Sequence, residues 1–192
     1  MSLRVIAGSA KGRRLKPVPG DSTRPIMDRV KEALFSIIGR EIYDARVLDL
    51  FAGTGSVGIE ALSRGAAYAL FTDLSRNAIR TIHQNLEITG LADLATVRRT
   101  DALAMLQGAP PAQPFDLIYI APPQYKGLWL EVLKTIDANP AWVPDDETEI
   151  IVQIDPQEYE ETKFTHLEVT DTRKYGNTML IFYTRNEETS DE

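Results

Sequence analysis

The chain has 192 residues, of which 43% are hydrophobic and 26% are charged, values that fit one compact globular domain. It contains no cysteine, which excludes disulfides, thiolate metal sites and a cysteine nucleophile, and its two histidines are too far apart in sequence to suggest a metal site. No apolar run approaches the roughly 18 residues of a membrane-spanning helix, and the first residues lack the apolar core of a signal peptide. We therefore expect a cytoplasmic protein without a metal ion, and a monomer because no dimerisation signal is present.

The charge of the chain is unevenly distributed. The net charge is −7, yet residues 1–40 hold nine Lys and Arg residues against three Asp and Glu. A basic segment on an acidic body concentrates positive potential where it can meet phosphate groups. This distribution favours a nucleic-acid partner, and the plainer alternative is a solvated basic terminus.

The N-terminal region predicts a short hairpin and a helix. Extended stretches at residues 3–7 and 13–18 are separated by a glycine-containing connection of hairpin length. Residues 21–25 form a loop that can cap a helix. Apolar residues between 30 and 38 then recur at the spacing of one helix face, and a glycine follows them.

From residue 46 onwards the pattern alternates between strand and helix. The predicted strands are 47–51, 68–72, 94–98, 115–120 and 149–154, and the predicted helices are 57–63, 75–86, 101–106 and 128–136. Apolar strands separated by crossover helices are typical of a doubly wound parallel sheet. Two last predicted strands, 166–172 and 178–184, are joined by a turn, which predicts one antiparallel strand in a mostly parallel α/β sheet. An acidic tail follows at 186–192.

A glycine-rich stretch, DLFAGTGSVG, lies at the first junction between strand and helix. Gly53, Gly55 and Gly58 match the G-x-G-x-x-G pattern, and Asp73 follows Gly53 by 20 residues at the end of the second predicted strand. A carboxylate at that place can bind the hydroxyl groups of a ribose. The glycines alone are weak evidence. The strand, the helix and the carboxylate together favour a nucleoside-type cofactor over a purely structural turn.

Asp49 helps to choose the cofactor. It precedes the glycines within the strand, where a carboxylate would repel a pyrophosphate and attract the cationic amino acid end of S-adenosylmethionine. An NAD-dependent dehydrogenase is therefore disfavoured, and no candidate proton donor lies near the fourth strand. Asp101 is placed to accept a hydrogen bond from the adenine amine. The alternative for each of these two aspartates is a helix cap or a solvated loop residue. The candidate cofactor site also includes Phe51, Thr54, Leu74 and Ala102.

These features, with a later Pro-Pro-aromatic segment, resemble the Rossmann-like S-adenosylmethionine-dependent methyltransferases, and more specifically the RsmD family. That family methylates the exocyclic N2 of a guanine in bacterial 16S ribosomal RNA. The resemblance is carried by residues 4–8, 12–15, 24–35, 48–66 and 175–178. It implies S-adenosylmethionine as cofactor, and small-subunit ribosomal RNA or an assembling 30S subunit as partner. It also implies a basic RNA-contacting extension at 1–40 and a methyltransferase domain at 41–185.

The chain departs from the family at the substrate motif. Residues 118–125 read IYIAPPQY, with Ala121 where the family carries Asp or Asn before Pro-Pro and Phe or Tyr. In the family motif, the Asp or Asn side chain and a proline carbonyl accept hydrogen bonds from the guanine amine, and the aromatic ring stacks on the flipped base. Loss of one such preorganised group typically costs about 10²–10³ in turnover.

Gln124 offers a replacement acceptor between Pro123 and Tyr125. Our hypothesis is that the Pro122 carbonyl and the Gln124 side chain hold the amine while Tyr125 stacks on the guanine. The alternatives are that Gln124 is an ordinary turn residue, or that the chain is a weakened module that binds cofactor and RNA. We favour an active enzyme, because the prolines and the tyrosine remain in place.

Arginines in the basic extension are the candidate RNA contacts. Arginine binds phosphate through two hydrogen bonds at once, and such contacts give affinity with little sequence choice. The strongest candidates are Arg13, Arg14, Arg24 and Arg29.

Overall fold

The computed structural model describes residues 3–20 and 25–186. The chain divides into two compact units, Met1–Asp101 and Ala102–Glu192. The helices are α1 (Asp28–Ile38), α2 (Ser56–Ser63), α3 (Arg76–Thr89), α4 (Ala102–Gln107) and α5 (Leu128–Ala138). The strands are β1 (Arg46–Asp49), β2 (Tyr68–Asp73), β3 (Ala95–Arg99), β4 (Leu117–Ile120), β5 (Glu149–Ile154), β6 (Leu167–Tyr175) and β7 (Thr178–Arg185). Every strand and helix predicted from residue 46 onwards is confirmed, and only the ends differ.

The first unit contains three parallel strands with β2 in the centre. β2 pairs with β1 on one side and with β3 on the other, so Asp49 lies opposite Phe71 and Asp73 lies opposite Arg99. Parallel strands end at the same edge of a sheet, where their following loops meet. β1 is shorter than predicted because the chain turns after Asp49. Two hydrogen bonds with Thr72 hold this turn. The Thr72 hydroxyl donates to the Leu50 carbonyl, and the Thr72 carbonyl accepts from the Ala52 N–H.

The second unit contains the predicted antiparallel strand. β4 and β5 are parallel, whereas β7 runs antiparallel to both β5 and β6. The connection between β6 and β7 is the two-residue turn Gly176-Asn177, with Gly176 at φ +58°. A left-handed glycine in such a turn matches the twist of the two strands that it joins.

The predicted N-terminal hairpin is present as a fold-back with a single bridge, Arg4 to Arg14, and not as a two-stranded ladder. The reason lies in the partners of its backbone. The N–H groups of Ile6 and Ala7 donate to the carboxylate of Glu60, and that of Ala10 donates to the Ser63 hydroxyl. Backbone hydrogen bonds from Val5 to Arg13 and from Leu15 to Leu3 still join the two arms, and beyond them the chain is bonded to α2 and does not continue the ladder.

α1 begins one residue after Met27, which provides no side-chain cap, and it ends at Gly39 as predicted. The predicted capping loop falls largely on residues 21–24, which lie outside the described residues.

Candidate active site

The glycine loop follows β1 directly. Gly53 and Gly55 have φ angles of +56° and +78°, which glycine adopts at little cost. A Cβ atom at Gly53 would meet nothing within 4 Å, so this part of the loop faces open space. Gly58 is required for a different reason: a Cβ atom there would lie 2.3 Å from the Phe71 ring. The three glycines therefore serve a turn, a helix start and the packing of α2 on β2.

Asp49 lies at the end of β1 with 1% of its surface exposed. Its Oδ2 accepts a hydrogen bond of 3.1 Å from the N–H of Gly58 in the first turn of α2. Burial raises the pKa of Asp49 to about 7, the Gly58 hydrogen bond opposes this shift, and the nearby Asp73 carboxylate adds to it. A buried carboxyl group with such a pKa gains from a cationic ligand, which would favour its ionised form.

Asp73 joins the glycine loop to α3. One carboxylate oxygen accepts the N–H of Gly53 at 2.9 Å, and the other accepts the N–H of Ser75 at 2.8 Å. Ser75 caps α3 through its hydroxyl, which accepts from Ala78, as expected for a helix N-cap. Asp73 is thus held at the edge where β1 and β2 end, half-buried and next to the loop.

The remaining candidate cofactor residues differ in their exposure. Phe51 and Thr54 are half-buried within the loop, and Leu74 is 57% exposed beside Asp73. Asp101 is exposed after β3 in the first unit. Ala102 is buried as the first residue of α4 in the second unit. The structure links Asp49 and Asp73 to the glycine loop and the start of α2 through Gly58 and Gly53, and the binding of a cofactor by the candidate residues remains a prediction.

The Ala-Pro-Pro-Gln-Tyr motif follows β4 in the second unit. Ala121 and Pro122 are half-buried, whereas Pro123 and Gln124 are exposed. Tyr125 is 65% exposed and has a φ angle of +61°, in the left-handed region that favours glycine. The motif therefore ends in a large aromatic ring that is held at the surface.

Comparison with known proteins identifies the family. A family model described as "Conserved hypothetical protein 95", which represents the RsmD family, matches residues 3–184. The chain belongs to the RsmD family.

Relatives of known name support this membership. "Putative rRNA methyltransferase YlbH" of Bacillus subtilis is 47% identical over 135 residues, which cover 70% of this chain and 73% of the relative. "Ribosomal RNA small subunit methyltransferase D" of Escherichia coli is 37% identical over 145 residues, covering 75% of this chain and 71% of the relative. A solved structure, "Putative methyltransferase yhhF from Escherichia coli", superposes with a TM-score of 0.81 at 32% identity and covers 97% of this chain. The predicted Rossmann-like methyltransferase fold is thereby confirmed.

The basic extension of this RsmD-family chain is docked on α2. Lys31 of α1 is fully buried, and its ammonium group donates to the Arg4 carbonyl at 2.7 Å and to the Ser56 hydroxyl at 3.0 Å, and lies 3.3 Å from Glu60. Burial lowers the pKa of Lys31, and the Glu60 carboxylate opposes this shift. Gly8 approaches α2 so closely that a Cβ atom there would overlap the Ser63 carbonyl.

The candidate RNA contacts lie on this extension. Arg13 and Arg14 are exposed on the fold-back, and Arg29 is exposed on the first turn of α1. Arg24 lies outside the described residues. A nearby arginine, Arg4, is already paired with Asp28 at 3.0 Å. Exposed guanidinium groups are free to meet phosphate, and their role in binding RNA remains a prediction.

Sequence reasoning missed Asn85 of α3. This residue is fully buried, and its amide donates to the Thr54 carbonyl of the glycine loop at 2.9 Å and to the Lys16 carbonyl at 3.0 Å. Its Oδ1 accepts the Lys16 N–H at 2.7 Å. A signal was available: Asn85 is a polar residue on the buried stripe of an amphipathic helix, at the position three residues after Ile82.

Asp155 and Glu158 were also missed. Both follow β5, and both accept hydrogen bonds from Tyr125. No local pattern indicates them, because more than 29 residues separate them from the motif.

Within the described residues, no helix combines the length and apolar character that crossing a membrane requires. In the same part of the chain, His, Asp and Glu side chains form no cluster that could ligate a metal ion.

Proposed function

We propose that this protein transfers a methyl group from S-adenosylmethionine to the exocyclic N2 of a guanine in small-subunit ribosomal RNA. In this proposal, residues 1–40 contact the RNA and residues 41–185 carry the reaction. The protein acts as a monomer in the cytoplasm, on the RNA or on an assembling 30S subunit.

The observation that carries the proposal is the buried carboxyl group of Asp49 at the end of β1, directly before the open glycine loop. A pKa of about 7 means that ionisation of Asp49 is costly in the folded chain and becomes favourable when a cation binds. The ammonium group of S-adenosylmethionine is such a cation. Asp73, held by two backbone N–H groups, presents acceptor oxygens at the adjacent strand end, which suits the hydroxyl groups of a ribose. The residues present therefore fit this cofactor, which supplies an electrophilic methyl group on its sulfonium sulfur.

The substrate is proposed from the family and the motif. The Escherichia coli relative is named a small-subunit ribosomal RNA methyltransferase. A flipped guanine would stack on the exposed ring of Tyr125. The Pro122 carbonyl and the Gln124 side chain would accept the N–H groups of its amine and direct the nitrogen lone pair toward the methyl carbon.

The test is transfer of labelled methyl groups to small-subunit RNA and to 30S subunits from cells that lack the modification. Nucleoside mass spectrometry identifies the product. We expect N2-methylguanosine, and we expect its formation to fall about 5–150-fold in Tyr125→Ala, since base stacking contributes about 1–3 kcal/mol.

The second candidate function is a module that binds S-adenosylmethionine and RNA without methylating the RNA, and it is motivated by the missing acceptor at Ala121. It would be supported if the protein binds S-adenosylmethionine and small-subunit RNA but methylates neither RNA nor subunits. Gain of activity in Ala121→Asp under the same conditions would then establish that the natural chain has lost turnover.

A further inference from the structure

The segment that follows β5 accepts hydrogen bonds from both the hydroxyl group and the backbone N–H of Tyr125. Its hydroxyl group donates to Asp155 Oδ2 at 2.7 Å, and its backbone N–H donates to Glu158 Oε1 at 2.6 Å. Both acceptors are carboxylate oxygens. Their side chains are three positions apart on one short turn, Pro156–Glu158 with its cap Asp155. Contacts of this type are shorter and stronger than hydrogen bonds between neutral groups.

The backbone of Tyr125 has a left-handed conformation, which is unfavourable for a residue other than glycine. A non-glycine residue at φ +61° is strained and persists only where surrounding contacts impose it. Tyr125 as a whole is 65% exposed, so burial alone does not hold it in this conformation. The hydrogen bonds to Asp155 and Glu158 are contacts that support this conformation.

The Asp155 carboxylate is also held by a second hydrogen bond that does not involve Tyr125. Its Oδ1 accepts the N–H of Gln157 at 2.9 Å, while its Oδ2 faces the Tyr125 hydroxyl. The Gln157 N–H, followed by the Tyr125 hydroxyl, lowers the pKa of Asp155 below its ordinary value. The carboxylate is therefore ionised at neutral pH, and only 8% of the residue is exposed. An oriented, charged acceptor of this kind constrains the direction of the phenol ring.

We infer that Asp155, assisted by Glu158, is a positioning residue that sets the orientation in which the Tyr125 ring stacks on the substrate base. This inference rests on the proposed function, and it adds a part to the site that the motif does not contain. Asp155 acts through the hydroxyl group of Tyr125 and touches no reacting atom. Its contribution should therefore disappear when that hydroxyl group is absent.

A double-mutant cycle tests this dependence. The variants are Tyr125→Phe, Asp155→Ala and the double variant, with kcat/KM for RNA, the KM for S-adenosylmethionine and the thermal midpoint measured for each. We expect each single variant to lower kcat/KM for RNA about tenfold, because a hydrogen bond to a charged group contributes about that factor or more. The double variant should be no worse than either single one, and the KM for the cofactor should stay within about twofold.

Two further variants separate positioning from folding. Asp155→Asn keeps an oxygen for Gln157 and a polar group near the tyrosine, so its activity should fall between that of wild type and Asp155→Ala. Asp145→Asn is the matched control, because Asp145 makes the same contact two residues along the chain, to Glu147, on an exposed loop. It should leave kcat/KM unchanged.

The inference is overturned if Tyr125→Phe matches wild type, or if Asp155→Ala lowers kcat/KM by the same factor with Tyr and with Phe at position 125. If Asp155→Ala fails to fold, Tyr125→Phe alone decides, since it removes one hydroxyl group and keeps the ring. A wild-type protein that methylates no small-subunit substrate would instead overturn the proposed function, and with it this inference.

Discussion

Burial distinguishes Asp49 from an ordinary carboxyl group, because it raises the pKa of Asp49 to about 7. The sequence predicted its place before the glycines, but it could not indicate that Gly58 would donate to it or that only 1% of it would be exposed. The helix-cap alternative and the cofactor role are compatible in the structure. One oxygen accepts from the first turn of α2, and the carboxyl group still lies beside the open loop.

The raised pKa of Asp49 predicts a pH dependence of cofactor binding. Because a bound ammonium group favours the ionised form, affinity for S-adenosylmethionine should rise with pH up to about 7 and fall again above about 8, where an α-amino group loses its own proton. Below that value each pH unit should weaken binding by up to about tenfold. Calorimetric titration between pH 5.5 and 8.5 measures this, and Asp49→Asn should bind weakly with a flat profile. A flat profile in the wild type would contradict the assignment.

The same shift has a consequence for the unliganded protein. Since the folded pKa lies above the ordinary value, the folded chain holds this proton more tightly than the unfolded chain does. The resulting stabilisation is complete below about pH 4 and is lost as the pH rises toward about 7. Asp49→Asn should remove this slope from the pH dependence of the free energy of unfolding.

Gln124 is the residue on which the altered motif depends. It is exposed next to Pro123, as a residue contacting substrate must be before substrate binds. We expect Gln124→Ala to lower kcat about 10²-fold, as the loss of a preorganised acceptor does, and Gln124→Glu to retain most of the rate. Methyl transfer under saturating cofactor measures both. Unchanged turnover in Gln124→Ala would return Gln124 to the role of a turn residue.

At the scale of elements, α2 and α3 connect the basic extension to the glycine loop. α2 binds the extension through Glu60 and Ser63, and α3 binds both Lys16 and Thr54 through Asn85. The helices themselves were predictable from their apolar spacing and from the cap at Ser75. Their partners were not, because these hydrogen bonds join residues more than 30 positions apart, and no local pattern encodes such pairs.

Asn85→Ala should therefore affect both stability and cofactor binding. Three backbone groups, the N–H and carbonyl of Lys16 and the carbonyl of Thr54, would lose their partner, which predicts a loss of about 2–4 kcal/mol in the free energy of unfolding. Urea denaturation measures the first effect, and a weaker affinity for S-adenosylmethionine would report the loosened loop. Asn77→Ala on the same helix is the control, since its bond to Pro19 is 3.4 Å long and exposed. Equal effects of both variants would contradict a special role for Asn85.

At the scale of the whole molecule, the fold class was readable from the sequence because alternation of apolar strands with helices leaves few arrangements. The antiparallel ending was readable from the turn before β7. What could not be read was the form of the extension, where side chains of α2 bind backbone N–H groups of the chain that follows the single bridge. Tertiary contacts decided the outcome there, and strand propensity did not.

The uneven charge predicts how RNA binding responds to salt. Each phosphate contact that is removed should reduce the slope of log K against log salt by about 1. Arg13→Ala and Arg14→Ala should each show this reduction in filter-binding assays from 50 to 300 mM salt. Arg80→Ala, exposed on α3, is the control with the same change in net charge. Slopes that fall equally in all three variants would indicate a general charge effect without a defined contact surface.

The docking of the extension on α2 also determines how its amides meet water. The N–H groups of Ile6, Ala7 and Ala10 are bonded to Glu60 and Ser63, which are themselves buried. Deuterium can replace these hydrogens only when the extension separates from α2 or when α2 itself opens. A segment with almost no regular secondary structure should thus exchange as slowly as the helix beneath it, and both should become labile together.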